Sequence, residues 1–201
     1  MLDGPLGKGT VLLIDKHKVC LQCVLDDEVP ELPRLDLLLA MPRPKVLKRL
    51  WAQLAALGVG RIVLLNAEKV ERYYFDSHVI DPDFYTEKLM EGLQQARCTR
   101  LPEVIIRKRF KPFVEDELDE LFPESLKLVA DPSGEKRIGD FTFNDRRALL
   151  AIGPEGGWTP YELEKLQAHD FNLFSMGSRI LRTDTACVGL VSMLAELLAT
   201  D

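Results

Sequence analysis

The chain has 201 residues, of which 46% are hydrophobic, so it is long and apolar enough to fold around one large core, which argues against disorder. Its 26 basic and 32 acidic residues give a net charge of −6, which excludes a general binder of polyanions. A nucleic acid partner would therefore have to bind at a local basic patch.

The apolar runs and the cysteines bear on the compartment. The longest near-apolar run, residues 186–195, is well short of the ~20 residues that a membrane span needs. The N-terminus has no signal-peptide core, and the four cysteines suggest no disulfide framework. We expect a soluble, cytoplasmic protein.

Cys20 and Cys23 form a C-x-x-C motif, which could be half of a structural zinc site. The flanking sequence KVCLQCVL predicts a strand, in which an offset of three sends the two side chains to opposite faces. No second C-x-x-C follows, so we expect ordinary strand residues and no metal.

The N-terminal segment differs in character from the rest of the chain. Residues 9–25 predict two strands around the turn-like DKHK, and two strands alone bury little surface. An acidic stretch with two prolines follows and is typical of a linker. We therefore divide the chain into residues 1–34, a partial β segment with its linker, and residues 35–201, the main domain.

From residue 35 onward, strands and helices alternate. Strands are predicted at 35–40, 61–65, 103–107, 126–130, 148–152 and 173–176. Helices are predicted from Pro44 to a stop at Gly58, over 83–96, over the acidic stretch 112–122, and over 186–199. Apolar strands without alternation indicate an α/β fold whose parallel sheet is covered by helices on both faces.

A glycine-rich loop, GPEGG at 153–157, follows the strand ALLAI. Ligands of open α/β sheets bind beyond the carboxyl ends of strands. Thr159, Pro160 and Glu162 form a capping box that fixes the start of the next helix. The loop matches neither phosphate-binding fingerprint, and Glu155 beside bare backbone favours a cationic or aromatic ligand. The alternative is a tight turn with an incidental acid.

A second loop, MGSRILRTDTA at 176–186, also follows a strand. Thr183 or Asp184 is a natural N-cap for the apolar last helix. Arginines ahead of a buried helix are unfavourable unless they are paired or bind an anion. The alternative is a surface Arg–Asp pair at a helix start.

Together, AIGPEGGWTPYELEKL and FNLFSMGSRILRTDTA resemble the RsmE-type 16S ribosomal RNA uracil-N3 methyltransferases, of the SPOUT class. LLLAMPRPKVLKRLWAQLAALGVGRIVLLNAEKVER and EGLQQARCTRLPEV extend the resemblance, which runs from Leu35 to the C-terminus. It implies a trefoil-knotted domain that binds S-adenosylmethionine, a homodimer, and an N-terminal PUA-like β-barrel. Residues 1–34 would supply only the last strands of that barrel, so the chain is either truncated or carries a reduced RNA module.

The resemblance also implies roles for individual residues. The expected catalytic residues are Arg182, to stabilise the uracil anion, and Asp184 or Glu155, to take the imide proton. The expected cofactor-binding residues are Ile152, Gly153, Pro154, Glu155, Gly156, Gly157, Met176, Gly177, Ile180, Leu181, Arg182, Thr183 and Thr185.

The expected RNA contacts are basic, and several of them have the alternative role of solvating helix faces. The set comprises Arg43, Lys45, Arg49, Arg97, Arg100 and Arg179, with Lys48, Arg107, Lys108 and Arg109 in the same patches. The apolar last helix is expected at the homodimer interface or, alternatively, buried inside one subunit.

The sequence departs from the family pattern at several positions. The K-x-x-E-L-G of the first helix reads Gln53, Ala56, Leu57 and Gly58, and a family arginine is replaced by Cys98. The Glu-Gln pair of the second helix is Gln94-Gln95, and the acid of the last motif is Asp184 in place of Glu. Three alternatives therefore stay open: an inactive RNA-binding SPOUT protein, a SPOUT methyltransferase acting on another RNA nucleotide, and a doubly wound nucleotide-binding enzyme.

Overall fold

The computed structural model describes residues 2–199. Its strands are β1 (Gly7–Ile14), β2 (Val19–Leu25), β3 (Leu35–Ala40), β4 (Val59–Leu65), β5 (Glu103–Arg107), β6 (Leu126–Ala130), β7 (Ala148–Ile152) and β8 (Asn172–Phe174). Its α-helices are α1 (Pro44–Ala56), α2 (Pro82–Ala96), α3 (Phe110–Pro112), α4 (Leu118–Leu121), α5 (Pro160–Ala168) and α6 (Thr183–Ala199). Single 3₁₀ turns occupy Arg72–Asp76, His78–Ile80 and Ile138–Asp140.

Six strands form one sheet in the order β5-β4-β3-β7-β6-β8, and every pairing within it is parallel. All residues of β3 and β7 are buried. Because strand side chains alternate between faces, complete burial requires cover on both faces. The predicted α/β fold with a parallel sheet is confirmed.

The strands are added to the sheet in opposite directions from β3, so the strand order has a switch point between β3 and β7. Strands β4 and β5 lie on one side of β3, whereas β7, β6 and β8 lie on the other. Such a switch point is where open α/β sheets place their ligands, beyond the carboxyl ends of the strands. The loops that follow β6, β7 and β8 therefore share the sheet edge on which a site is expected.

Several predicted boundaries differ from the structure, and three of the differences bear on the site or the core. The last helix begins at Thr183, three residues before its predicted start, so Thr183 and Asp184 belong to its first turn. The sixth strand of the main sheet ends at Phe174, and Met176 lies in the following loop. The predicted acidic helix contains a π turn over Phe113–Glu117, and Phe113, Val114 and Leu118 are all buried.

Strands β1 and β2 form a separate antiparallel hairpin, as the sequence predicts. Cys20 and Cys23 lie in β2. The N-terminal segment contacts the amino end of β5, where Asp3 donates its backbone N–H to the Thr99 carbonyl over 2.7 Å and Arg100 donates to the Pro30 carbonyl. The assignment of residues 1–34 to a partial PUA-like segment stays a prediction.

A fully buried carboxylate lies near the amino end of β3. Asp36 in β3 has no exposed surface, and its two carboxylate oxygens accept hydrogen bonds from Arg147 at 2.7 and 3.1 Å. Arg61 lies 3.8 Å from the same carboxylate. The sequence analysis treated this strand as continuously apolar, although Asp36 forms a buried ion-pair cluster at its amino end.

None of the helices within residues 2–199 combines the length and the apolar character that a membrane-spanning segment requires.

Candidate active site

A cleft of about 570 Å³ lies beyond the carboxyl ends of β6, β7 and β8 and is called the main cleft below. The glycine-rich loop forms one wall, and the loop after β8 with the start of α6 forms another. Gly156 and Leu181 both line it, so the two loops singled out in the sequence lie at one site. Its volume is typical of small-molecule sites, which span roughly 300–1,000 Å³.

The glycine-rich loop is held by contacts at its two central residues, Glu155 and Gly156. Gly157 adopts a φ of +69°, a left-handed conformation that glycine reaches without strain. The Gly156 carbonyl accepts a hydrogen bond from Lys69 Nζ at 2.7 Å, and Glu155 Oε1 accepts one from the Arg43 backbone N–H at 3.2 Å. The loops after β3 and β4 thus fix the conformation of the glycine-rich loop.

The predicted capping box is present and has a further partner. Glu162 Oε2 accepts hydrogen bonds from the Thr159 N–H and hydroxyl at 2.8 and 2.9 Å, and the Thr159 hydroxyl accepts from the Glu162 N–H. Its other oxygen accepts from the Glu68 backbone N–H at 2.8 Å. This carboxylate is only 2% exposed, so it joins the start of α5 firmly to the loop after β4.

The loop after β8 presents apolar and basic side chains to solvent. Gly177 has a φ of +124° and donates its N–H to the Ser175 hydroxyl at 3.1 Å. Ile180 is 89% exposed, and the Arg182 side chain is 79% exposed. The loop therefore offers the main cleft a rim that a large partner could cover.

Most of the residues expected to bind the cofactor line the main cleft. These are Ile152, Gly153, Pro154, Glu155, Gly156, Gly157, Met176, Gly177, Ile180, Leu181 and Thr183. Arg182 and Thr185 are not among the lining residues: the Arg182 side chain is exposed, and Thr185 lies in the first turn of α6. Arg179, expected to contact RNA, lines the main cleft instead.

The three expected catalytic residues are in different environments. Glu155 lines the main cleft. Asp184 lies outside the lining, in ion pairs with Arg49 at 3.0 Å and Arg182 at 3.8 Å. The surface Arg–Asp pair that the sequence left open is therefore present. Asp184 also contributes, after burial itself, to raising the pKa of the Cys187 thiol to about 12.

The sequence analysis missed one whole wall of the main cleft. This wall is the loop after β6, and it contributes Asp131, Pro132 and Ser133; other missed lining residues are Ala130, Trp158, Ser175, Ala186 and Leu190. The rule that pointed to the loops after β7 and β8 applies equally to the sequence DPSG that follows β6. Trp158 could not be assigned to the site from the sequence. The burial of its Nε1, and the lack of a hydrogen-bond partner for that atom, are seen only in the structure.

The basic residues expected to contact RNA fall at opposite edges of the sheet. Arg43, Lys45 and Arg49 follow β3 and are exposed on the edge that carries the main cleft. Arg97 and Arg100 precede β5 and lie on the other edge, where Arg100 holds the linker. In the described part of the chain, no three His, Cys, Asp or Glu side chains are grouped as a metal site requires.

Comparison with known proteins identifies the family. A family model described as an RNA methyltransferase domain matches residues 30–195. Ribosomal RNA small subunit methyltransferase E of Treponema pallidum is 30% identical over 200 residues, which cover 98% of this chain and 75% of that protein. Ribosomal RNA small subunit methyltransferase E 1 of Borreliella burgdorferi is 30% identical over 161 residues, 80% of this chain. That alignment spans 66% of the Borreliella protein's length.

Solved structures share the fold at lower identity. Ribosomal RNA small subunit methyltransferase E from Neisseria gonorrhoeae, bound to S-adenosyl methionine, superimposes with a TM-score of 0.77 at 20% identity, covering 98% of this chain and 81% of that one. The SpoU methyltransferase AviRb from Streptomyces viridochromogenes gives 0.57 at 17% identity, covering 90% and 67%. The fold, the matched domain and the two relatives from Treponema and Borreliella agree with the family inferred from the paired loop motifs. The chain belongs to the RsmE-type family of small-subunit ribosomal RNA methyltransferases.

Proposed function

We propose that this chain binds S-adenosylmethionine in the main cleft and methylates N3 of a uridine in small-subunit ribosomal RNA. The observation that carries the proposal is the convergence of the loops after β6, β7 and β8 on one ligand-sized cleft. The family's relatives are named for ribosomal RNA methylation, and the Neisseria structure holds S-adenosyl methionine.

The residues of the main cleft suit this cofactor. Gly153, Gly156 and Gly157 line the main cleft, and Gly157 has open space where a side chain would lie, so a flat adenine ring can approach its backbone. The buried Trp158 Nε1 lacks a hydrogen-bond acceptor. Two carboxylates, Asp131 and Glu155, face a ligand that carries a sulfonium and an ammonium charge. A triphosphate would meet those carboxylates unfavourably.

The chain's own residues would activate the uracil. When bound, S-adenosylmethionine would supply an electrophilic methyl group, and the neutral thioether that remains would be the leaving group. N3 must lose its proton before its electron pair can attack, and Glu155, which lines the main cleft, would accept that proton. Arg182, exposed at the rim beside Leu181, would stabilise the resulting anion once RNA covers it. Asp184 would orient Arg182 and Arg49 through its ion pairs.

The RNA would approach along the edge that carries the main cleft. Arg43, Lys45 and Arg49 are exposed there at the start of α1, and Arg179 lines the main cleft. Their contacts with phosphates would make binding fall as salt rises. Arg97 and Arg100 would act from the opposite edge, beside the β1–β2 hairpin.

The family features that go beyond the sheet itself are part of the proposal. A trefoil knot is supported by the path from the edge strand β8 back to the centre, where α6 packs on β3 and β7.

A homodimer through α6 and its loop is supported by the exposed Ile180 and Met193. A monomer in sedimentation at micromolar concentration would contradict the dimer. A cytoplasmic location follows from a ribosomal RNA substrate and stays a prediction.

Nucleoside mass spectrometry tests the reaction. The purified chain, S-adenosylmethionine and unmethylated small-subunit ribosomal particles or RNA should yield 3-methyluridine, with about one methyl group per RNA at completion. A different methylated nucleoside would support a SPOUT enzyme with another target. RNA binding without any methylated product would support the inactive RNA-binding alternative.

A further inference from the structure

A second cleft of about 320 Å³ lies beside the main cleft, beyond the carboxyl ends of β4 and β5. Its volume is near the lower end for ligand sites, roughly 300 Å³. Apart from Glu162, which caps α5, the lining residues have no role in the main cleft. Those that bear on the chemistry of the second cleft are Asn66, Glu68, Arg72, Phe110, Lys111 and Tyr161.

The chemistry of the second cleft is that of a nucleotide site. Phe110 and Tyr161 supply aromatic rings, on which an unstacked base can lie. Arg72 and Lys111 are exposed and cationic, which suits the phosphates on either side of such a base. Two carboxylates also line the second cleft. The Glu162 oxygens are already taken by Thr159 and the Glu68 N–H, and Glu68 is exposed to solvent, where salt screens its charge.

An unsatisfied acceptor in the same cleft points to a ligand. Asn66 donates Nδ2 to the Lys108 carbonyl over 3.3 Å, but its Oδ1 is buried and has no hydrogen-bond partner. Buried acceptors are rarely left without a donor in folded proteins. A ring N–H or exocyclic amino group of a base would satisfy it once the Asn66 side chain turned its Oδ1 towards the second cleft.

The second cleft shares a wall with the main cleft. The Phe110 and Trp158 rings, one from each cleft, lie 6.1 Å apart between centroids. Lys69 joins the loop after β4 to Gly156, and Glu162 joins the same loop to α5. A strand of RNA that places one nucleotide in the main cleft would therefore run close to the second cleft.

We propose that the second cleft holds a splayed-out base of the RNA strand close to the nucleotide that is methylated, with Phe110 and Tyr161 stacking on the base and Asn66 Oδ1 accepting a hydrogen bond from it. This inference rests on the proposed function, because it takes RNA as the substrate. The second cleft would then determine which uridine reaches the methyl group, and the main cleft would hold the cofactor.

Two variants and two matched controls test the inference. Tyr161→Leu removes a ring of the second cleft, and Tyr73→Leu removes an exposed ring outside it. Arg72→Gln removes a cation of the second cleft, and Arg146→Gln removes an exposed cation at the opposite edge of the sheet. Filter binding with small-subunit ribosomal RNA and calorimetry with S-adenosylmethionine are measured on each, with thermal melts to check folding.

Tyr161→Leu should raise the Kd for RNA about tenfold, the effect of losing one stacked base, and Arg72→Gln should raise it and flatten its salt dependence. The controls should stay within about twofold of wild type, as should every Kd for S-adenosylmethionine. In ultraviolet crosslinking of wild-type protein to the RNA, peptides containing Phe110 or Tyr161 should carry nucleotide adducts.

Unchanged RNA affinity in both cleft variants, or adducts found only elsewhere, would overturn the inference even if wild-type protein methylates RNA. A wild-type protein that binds RNA but not S-adenosylmethionine would remove the proposed function and leave the second cleft standing. No RNA affinity at all would overturn both.

Discussion

Replacing Arg182 by alanine should lower methyl transfer to small-subunit ribosomal RNA by about 100- to 1,000-fold, the usual effect of removing one group that stabilises developing negative charge. The Arg182 side chain is 79% exposed and does not line the main cleft. Affinity for S-adenosylmethionine should therefore stay within about twofold of wild type. Single-turnover transfer of a labelled methyl group and calorimetry measure the two quantities separately.

Two further variants make the Arg182 result specific. Arg182→Lys keeps the charge but loses the planar fork, so it should recover part of the rate. Arg146→Ala removes an exposed arginine at the opposite edge and should leave the rate unchanged. If Arg182→Ala turns over like wild type, Arg182 has no part in the mechanism, and a weakened cofactor affinity would instead give it a binding role.

Replacing Asp36 by alanine should reduce the free energy of unfolding by about 3 kcal/mol, at the lower end of the range for breaking a buried ion pair. The carboxylate is fully buried, and its loss leaves Arg147 without its bidentate partner. The lower end applies because the Arg147 and Arg61 side chains are 32% and 27% exposed, so water can partly hydrate them. Urea unfolding followed by circular dichroism measures the change.

A surface pair provides the control for Asp36. Asp145 is 92% exposed and lies 3.3 Å from Arg34, so Asp145→Ala should change the free energy of unfolding by less than about 1 kcal/mol. Equal effects of Asp36→Ala and Asp145→Ala would show that the buried cluster stabilises the native state no more than a surface ion pair does.

The sequence predicts the local elements of this fold well, for identifiable reasons. Gly58 ends α1 as expected because it adopts a φ of +77°, and Thr159 with Glu162 caps α5 as the T-x-x-E spacing indicates. Runs such as residues 148–152 are apolar throughout because both faces of the sheet are covered. These features depend on residues close together in the chain, which periodicity can detect.

The features that were missed depend on residues far apart in the chain. Asp36 is tolerated in β3 only because Arg147, 111 positions later, reaches it. The orphaned Asn66 Oδ1 and Trp158 Nε1 cannot be recognised without coordinates. The break in the acidic helix at Phe113 reflects burial against the rest of the core, which overrides local helix propensity.

The most direct test of the account is a calorimetric titration of the chain with S-adenosylmethionine, paired with nuclear magnetic resonance of the labelled protein. The account predicts one saturable site per chain, with ligand-induced shifts centred on the loops after β6, β7 and β8, including Asp131, Gly156 and Leu181. Saturable binding with shifts elsewhere, or no saturable heat at millimolar ligand, would contradict the claim that these three loops form the cofactor site.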